Sequence, residues 1–144
     1  MIRLVPLRAV HLSVLELQDA QSYFSGELSS REYALGLERS GQAFTALSGD
    51  RVIACAGLTE IWPNRAVAWS LLSKDAGQHM LSIHRLAAGF LKASKYRRIE
   101  AWVDEGFMPG MRWLDLLGFT LETPVPMRGF RPDGGACFLF SRVT

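Results

Sequence analysis

The chain has 144 residues, of which 49% are hydrophobic and 21% charged, a balance typical of a folded domain and not of a disordered segment. Its formal net charge of +2 at pH 7 is too small to indicate nucleic-acid binding. It contains no uncharged apolar run of about 18 residues, so no membrane-spanning helix is predicted. Cys55 and Cys137 lie in apolar runs with no histidine at metal-ligand spacing. They predict buried free thiols in a reducing compartment, the cytoplasm, and no metal site.

Three segments are predicted before residue 41: a strand over residues 2–5, a helix over residues 7–21 and a second helix over residues 31–39. Pro6 is placed to stop the strand and open the first helix, and Ser29 or Ser30 to cap the second. The residues between the two helices, 23–28, predict irregular structure.

After Gly41 the hydrophobic period changes from helical to strand-like. Residues 43–47 and 51–58 predict two strands joined by a Gly49-Asp50 hairpin turn, with the second strand continuing to Trp62. A Pro63-Asn64 turn then leads to a third strand over residues 65–72. These three strands predict an antiparallel meander.

A long amphipathic helix follows this third strand, with Ile83, Leu86, Ala87 and Phe90 on one face. The remaining predicted elements are a strand over residues 98–103 parallel to the third, a helix from Pro109 to Leu117, and strands over residues 119–127 and 136–143 joined by a turn at 131–135. The order β-α-α-β-β-β-α-β-α-β-β predicts one α/β (α+β) domain over residues 1–144, with a mixed sheet of about seven strands and four helices.

The turn between the third strand and the long helix has the chemistry of an anion site. Residues 67–72 run into a polar turn with Lys74, Asp75 and Gly77, and the helix begins directly afterwards. The first amide hydrogens of a helix have no intrahelical partner, and the peptide dipoles place partial positive charge there. Lys74 adds a full positive charge, so the turn predicts a seat for a phosphate-bearing cofactor.

Two motifs and the element order resemble the GCN5-related N-acetyltransferase (GNAT) superfamily over nearly the whole chain. The residues from Lys74 to His79, KDAGQH, match the family's Gln/Arg-x-x-Gly-x-Gly/Ala turn, and Leu117-Gly118-Phe119 matches the end of a later family helix. Short acetyltransferase-like proteins of tailed bacteriophages have a similar compactness and divergence. The chain therefore also resembles a divergent, phage-encoded member of this superfamily.

The resemblance implies acetyl-CoA as co-substrate, with its pyrophosphate on the amides of this turn and its pantetheine arm along the end of the third meander strand. An arm that carries two amides suits pairing with an exposed strand edge. The implied cofactor-binding residues are Leu71, Leu72, Ser73, Lys74, Asp75, Ala76, Gly77, Gln78 and His79.

The chain departs from the family pattern at four positions. Lys74 replaces the usual Gln or Arg, and His79 replaces the second small residue, which lets backbone approach phosphate. Phe107 and Leu114 stand where the family often has an Asn and a Tyr. That Tyr is the family's usual general acid for the departing thiolate, so this role has no obvious holder.

Glu60, at the end of the second meander strand, is the first candidate for the general base, by analogy with the family's strand-borne bases. Asp104 and Glu105, at the tip of the strand after the long helix, are the next candidates. The alternative is that all three are solvated charges at strand ends.

Two functions stay open on the sequence. The first is an N-acetyltransferase that moves an acetyl group to a small-molecule or protein amine by direct attack, with an acceptor pocket formed by residues 22–30, 60–65 and the hairpin around Phe130. The second is a catalytically degenerate protein of the same fold with a binding or virion-assembly role and phage virion proteins as partners. Edge strands of such a sheet often pair between copies, which suggests a homodimer.

Overall fold

A computed structural model describes residues 1–28, 30–39 and 41–144. Within these ranges the strands are β1 (Ile2–Pro6), β2 (Gly41–Ser48), β3 (Arg51–Trp62), β4 (Arg65–Leu72), β5 (Arg98–Asp104), β6 (Thr120–Leu121) and β7 (Cys137–Val143). The helices are α1 (Ala9–Val14), α2 (Ser25–Leu28), α3 (Arg31–Arg39), α4 (Met80–Ala93) and α5 (Met108–Leu116), with 3-10 turns at Asp19–Phe24 and Ala76–His79. The predicted α/β class and element order are confirmed. α2 is a single turn beside the four longer helices.

The seven strands form one mixed sheet in the order β1-β2-β3-β4-β5-β7-β6. β1 to β4 form the predicted antiparallel meander, and the hairpin turn between β2 and β3 uses Gly49 at a φ of +61°, a left-handed conformation that favours glycine. β4 and β5 are parallel because α4 crosses over between them. No helix in the described residues is long and apolar enough to cross a membrane.

Helices cover both faces of the sheet. On one face Leu91 of α4 packs with Leu58 of β3 and Ile99 of β5, and on the other Leu12 of α1 packs with Cys55 of β3. Leu58 and Cys55 lie three residues apart on one strand, so their side chains point to opposite faces. Cys55 and Cys137 are both free and buried, as predicted.

The predicted helix over residues 7–21 is wrong beyond Val14. Leu15 is already extended, with φ −69° and ψ 122°, and Leu17 forms an antiparallel bridge with Ser73. Leu12, Leu15 and Leu17 are all buried. Burying Leu15 and Leu17 beside the sheet requires a two-residue period that a continuous helix cannot provide. Pro6 is the last residue of β1 and lies outside α1.

Two further boundaries differ from the prediction. The irregular structure expected over residues 23–28 is helical, as the end of the 3-10 turn and α2. The strand expected over residues 119–127 reduces to β6 and a single bridge between Met127 and Cys137, because Pro124 and Pro126 have no amide hydrogen for a ladder. Ser30 Oγ accepts the Tyr33 amide at 3.3 Å and so caps α3, whereas Ser29 lies outside the described residues.

Candidate active site

A cleft opens in the sheet where β4 and β5 diverge. The two strands pair from Arg65–Arg98 to Val67–Glu100 and then separate. The space between and around them measures about 300 Å³. Its lining is mostly apolar and includes Trp69, Ser70, Leu71 and Leu72 of β4, Ala101, Trp102, Val103 and Asp104 of β5, Ile83, Leu86, Ala87 and Phe90 of α4, and Trp113 and Leu114 of α5. The diverging strands therefore leave main-chain groups of β4 unpaired with β5 along a narrow groove.

The turn at the end of β4 lies beside the open end of the cleft, and its residues 73–79 are not among the cleft-lining residues. The Ser73 amide donates to Ile53 O at 2.8 Å, and the Lys74 amide donates to Glu16 O at 2.9 Å. The Ala76 amide donates to Ser73 O at 3.1 Å, and the Asp75 amide to Ser73 Oγ at 3.1 Å. A phosphate at this turn would therefore use donors beyond Ala76 or displace one of these contacts.

The residues beyond Ala76 are the accessible part of the turn. Lys74, Gly77 and Gln78 are exposed and His79 is half-buried. His79 is the N-cap of α4 and makes no side-chain cap hydrogen bond, so the helix start carries its partial positive charge without an internal anion. Asp75 lies at the same turn, but Arg51 forms an ion pair with it. Lys74 therefore keeps its charge available for a ligand.

Gln21 covers the edge of β4 that faces the gap. Its Nε2 donates to Ser70 O at 2.8 Å, and its Oε1 accepts the Leu72 amide at 2.9 Å. The Gln18 amide donates to Leu72 O at 2.9 Å beside it. The strand edge predicted to bind a pantetheine arm thus pairs with the chain itself in this structure.

Asp104 lies across the open end of the cleft from the turn at the end of β4, at the tip of β5, in a cluster of polar groups. Its Oδ1 accepts the Tyr23 hydroxyl at 3.0 Å, and its Oδ2 lies 3.1 Å from Arg131 Nη1. The Arg131 guanidinium stacks 4.3 Å above the Tyr23 ring. Burial and the adjacent carboxylate raise the pKa of Tyr23 well above its usual value, and raise the pKa of the Cys137 thiol to about 12. Both groups are therefore neutral at physiological pH.

Glu60 and Asp104 do not lie together. Glu60 pairs with Ala66, beside the part of β4 that still pairs with β5, whereas Asp104 is at the far tip of β5. Glu60 is exposed and accepts the Tyr96 hydroxyl at 2.7 Å, which raises the pKa of Tyr96. The described cleft-lining residues include Asp104 but not Glu60. Glu105 is exposed beside Asp104.

The start and middle of α5 present no hydroxyl to the cleft. Phe107 and Leu114 both line it with apolar side chains. Trp113 Nε1 donates to His84 Nδ1 at 3.1 Å and is engaged there. Tyr23, on the opposite side of the groove, brings a hydroxyl that hydrogen-bonds in the cleft, to Asp104. Sequence patterns did not indicate it, because its position depends on the 3-10 turn.

No family model and no curated protein sequence matches the chain. Solved structures match over nearly its full length: Ard1 from Thermoplasma volcanium has a TM-score of 0.79 at 9% identity, with coverage of 99% of this chain and 97% of that chain. The ribosomal-protein-S18-alanine N-acetyltransferase from Escherichia coli has a TM-score of 0.75 at 14% identity (99% and 94% covered). A GNAT-family acetyltransferase from Bacillus anthracis has 0.66 at 11% (99% and 94% covered). At such identities the likeness shows the fold, which is the GNAT acetyltransferase fold.

Proposed function

We propose that the chain is an acyl-CoA-dependent N-acetyltransferase that moves an acetyl group from acetyl-CoA to an amine by direct attack. The observation that carries this proposal is the divergence of the parallel strands β4 and β5 after Val67 and Glu100. It leaves a groove between a strand edge with amide groups and an apolar wall, with the turn into α4 and the Asp104 carboxylate on opposite sides of its open end. An extended ligand with amides, a phosphate end and a reactive acyl end fits these features.

The residues of the turn and strand edge suit acetyl-CoA. Leu71 and Leu72 line the groove, and Ser70 and Leu72 have main-chain groups on the β4 edge that Gln21 covers. The other proposed cofactor contacts, Ser73 to His79, surround the start of α4, where the peptide dipoles and Lys74 favour phosphate. When bound, the cofactor supplies a thioester whose acyl carbon is open to attack by an amine.

The chain's own contribution to the reaction is position and proton transfer. Holding amine and thioester in attack geometry removes much of the entropic cost of the reaction. Main-chain donors along β4 would polarise the acyl oxygen. We propose Asp104 as the group that accepts a proton from the ammonium acceptor, directly or through water, because it is the candidate base that lines the cleft. Glu60 is the weaker candidate, since it lies outside that lining.

The acceptor is proposed to be a small-molecule or protein amine that enters beside Asp104 and Tyr23. The Asp104 carboxylate attracts an ammonium group, which would share this carboxylate with the Arg131 guanidinium that lies over the Tyr23 ring. The protein that matches from Escherichia coli acetylates an alanine of ribosomal protein S18, and the acceptor of the present chain need not be the same.

The two buried free thiols are consistent with the proposed cytoplasmic setting. A homodimer through an edge strand stays a proposal.

A non-catalytic binding role is the second candidate, and two observations favour it. Gln21 already occupies the strand edge that a cofactor arm would use, and Phe107 and Leu114 offer the cleft no proton donor. A protein of this fold that only binds or assembles would tolerate both features. The virion-assembly form of this role depends on the sequence resemblance to phage proteins alone.

Cofactor binding and turnover together test the proposal. Titration calorimetry with CoA and acetyl-CoA should show binding, and saturating cofactor should raise the melting temperature, because a ligand that binds only the native state stabilises it. CoA release from acetyl-CoA over a panel of amines and amino-terminal peptides should then identify an acceptor. Binding without release over the panel would favour the non-catalytic role. No binding at millimolar CoA would contradict the proposal.

A further inference from the structure

The direction of the main-chain hydrogen bonds of β4 shows which of its residues point away from β3. Ser73 donates its amide to Ile53 O of β3 at 2.8 Å. Main-chain groups of successive strand residues point to alternate sides, so those of Ser70 and Leu72 point away from β3 and into the gap toward β5. This is the stretch where β5 no longer pairs, since the last β4–β5 pair is Val67 with Glu100.

A side-chain amide takes the place of the missing strand. Gln21 donates to Ser70 O at 2.8 Å and accepts the Leu72 amide at 2.9 Å. Gln18 Nε2 donates to Gln21 Oε1 at 3.0 Å and helps to hold the amide in this orientation. One planar group thus satisfies a carbonyl and an amide hydrogen on the same edge, which is the pair of bonds that any amide-bearing ligand lying along β4 would make.

The segment that carries Gln21 spans the mouth of the cleft. We name residues 16–23 the strap. At the β4 end, Leu17 forms a bridge with Ser73, and at the β5 end Tyr23 donates to Asp104 at 3.0 Å. Gln21 is itself only half-buried, so its side chain can leave the edge for solvent while both strap ends stay in place.

We propose that Gln21 is a displaceable gate on the strand edge: an amide of the acyl-CoA arm and the Gln21 side chain compete for Ser70 O and Leu72 N. This inference rests on the proposed function. Ligand entry requires Gln21 to leave, so the apparent dissociation constant equals the intrinsic one divided by the fraction of molecules in which the edge is uncovered. The gate keeps the strand edge hydrogen-bonded when the cofactor is absent, because an unpaired edge in an apolar groove is costly.

Calorimetric titration of CoA into three full-length proteins tests the gate. Gln21→Ala removes both edge bonds and should bind CoA roughly fivefold more tightly than the wild type, the effect expected when a competitor holding the edge most of the time is removed. Gln42→Ala makes the same substitution at an exposed position of β2 outside the cleft lining and should leave the dissociation constant unchanged. In the wild type, nuclear magnetic resonance should show the Gln21 side-chain amide moving to a solvent-like position at saturating CoA, while the Leu72 amide stays protected from exchange.

The outcomes separate the gate from the proposed function. Equal or weaker CoA binding by Gln21→Ala would overturn the gate and leave the transferase proposal intact. Absence of CoA binding by both proteins at millimolar concentration would overturn both. Should Gln21→Ala fail to fold, the wild-type resonances decide, because an unchanged Gln21 side-chain amide at saturating CoA overturns the gate and a displaced one supports it.

Discussion

Tyr23 Oη donates a hydrogen bond of 3.0 Å to Asp104 Oδ1 and so joins the 3-10 turn on one side of the cleft to the tip of β5 on the other. Arg131 contacts the second carboxylate oxygen at 3.1 Å. The Asp104 side chain is 13% exposed, which leaves a small open area on the cleft side. Among the sequence-predicted bases, Asp104 is thus the one whose surroundings fix its orientation toward the groove, and this distinguishes it from Glu60.

Replacing Asp104 should therefore impair acetyl transfer far more than replacing Glu60. We expect Asp104→Asn to lower kcat/KM for CoA release about 100-fold, the usual size of a lost general base. Glu60→Gln should stay within about twofold of the wild type, because Glu60 is bound to Tyr96 outside the cleft. Steady-state assays of CoA release with a working amine measure both values, and CoA titration checks that the cofactor site is intact.

Arg131→Met supplies the control for the ion pair that Asp104→Asn also breaks. It removes the contact to Oδ2 but keeps the carboxylate. If Asp104 accepts the proton, the Arg131→Met protein should retain most of the wild-type kcat/KM. The pH dependence of that kcat/KM should shift. Equal losses in the two variants, with flat pH profiles, would instead assign Asp104 a structural role.

Charge reversal at Lys74 should weaken cofactor binding. Lys74 is exposed at the turn before α4, and Lys74→Glu replaces attraction for a diphosphate by repulsion, for which we expect roughly a tenfold higher Kd for CoA at low salt. Lys92→Glu makes the same charge change in the last turn of α4 and is the matched control. The difference in Kd between the wild type and Lys74→Glu should shrink as the salt concentration is raised, because exposed charges are screened. Similar Kd values for the two variants would place the phosphates elsewhere.

Two substitutions at Gly77 test whether the backbone there must approach the phosphate closely, without altering the fold. A Cβ built on Gly77 meets no atom within 4 Å, and the residue has no left-handed backbone conformation. Both Gly77→Ala and Gly77→Val should therefore fold with melting temperatures near that of the wild type. If backbone must approach phosphate here, Val should weaken CoA binding more than Ala. Equal Kd values for the two variants, measured by calorimetry, would contradict the close approach.

Local sequence signals predicted most of the fold. The Gly49-Asp50 turn, the two-residue period of β3 and β4, and the 3.6-residue period of α4 each specify structure from neighbouring residues. α3 was predicted at its observed bounds, Arg31–Arg39, and Gly118 ends α5 at a φ of +91°, as its C′ position requires. The splay of β4 and β5 followed only from the resemblance to a known fold.

The rest depended on contacts between distant parts of the chain. Leu17 leaves the helical pattern to pair with Ser73, 56 positions later in the numbering. The same pairing carries Gln21 to β4 and Tyr23 to Asp104, so the cleft contacts of these two residues could not be predicted without it. Glu60 was favoured as the general base by analogy with the family's strand-borne bases. Its pairing with Ala66 places it beside the part of the sheet where β4 and β5 still pair.

The free energy of unfolding should fall as the pH drops from about 4.5 toward 2, because carboxylates near the part of the sheet where β4 and β5 still pair become protonated. Hydrogen bonds from Arg98, at 2.7 and 2.9 Å, and from Ser141 lower the pKa of Glu122 from 4.5 to about 2. Arg65 and Arg98 likewise lower the pKa of the buried Glu100. A carboxyl whose pKa is depressed by folding stabilises the native state above its unfolded pKa. That contribution is lost as the pH falls through the folded value, because the unfolded chain then binds the proton more readily.

Urea unfolding of the wild type and of Glu122→Gln at pH values between 5 and 2 checks this dependence. The neutral amide cannot titrate, so the free energy of unfolding of Glu122→Gln should fall less steeply over this range, and the two curves should approach each other near the lower limit. Glu105→Gln, which changes an exposed carboxylate away from this cluster, should keep the wild-type slope. A Glu122→Gln slope as steep as that of the wild type would show that Glu122 is titrating as it does in the unfolded chain, and that its contacts with Arg98 and Ser141 do not stabilise the fold.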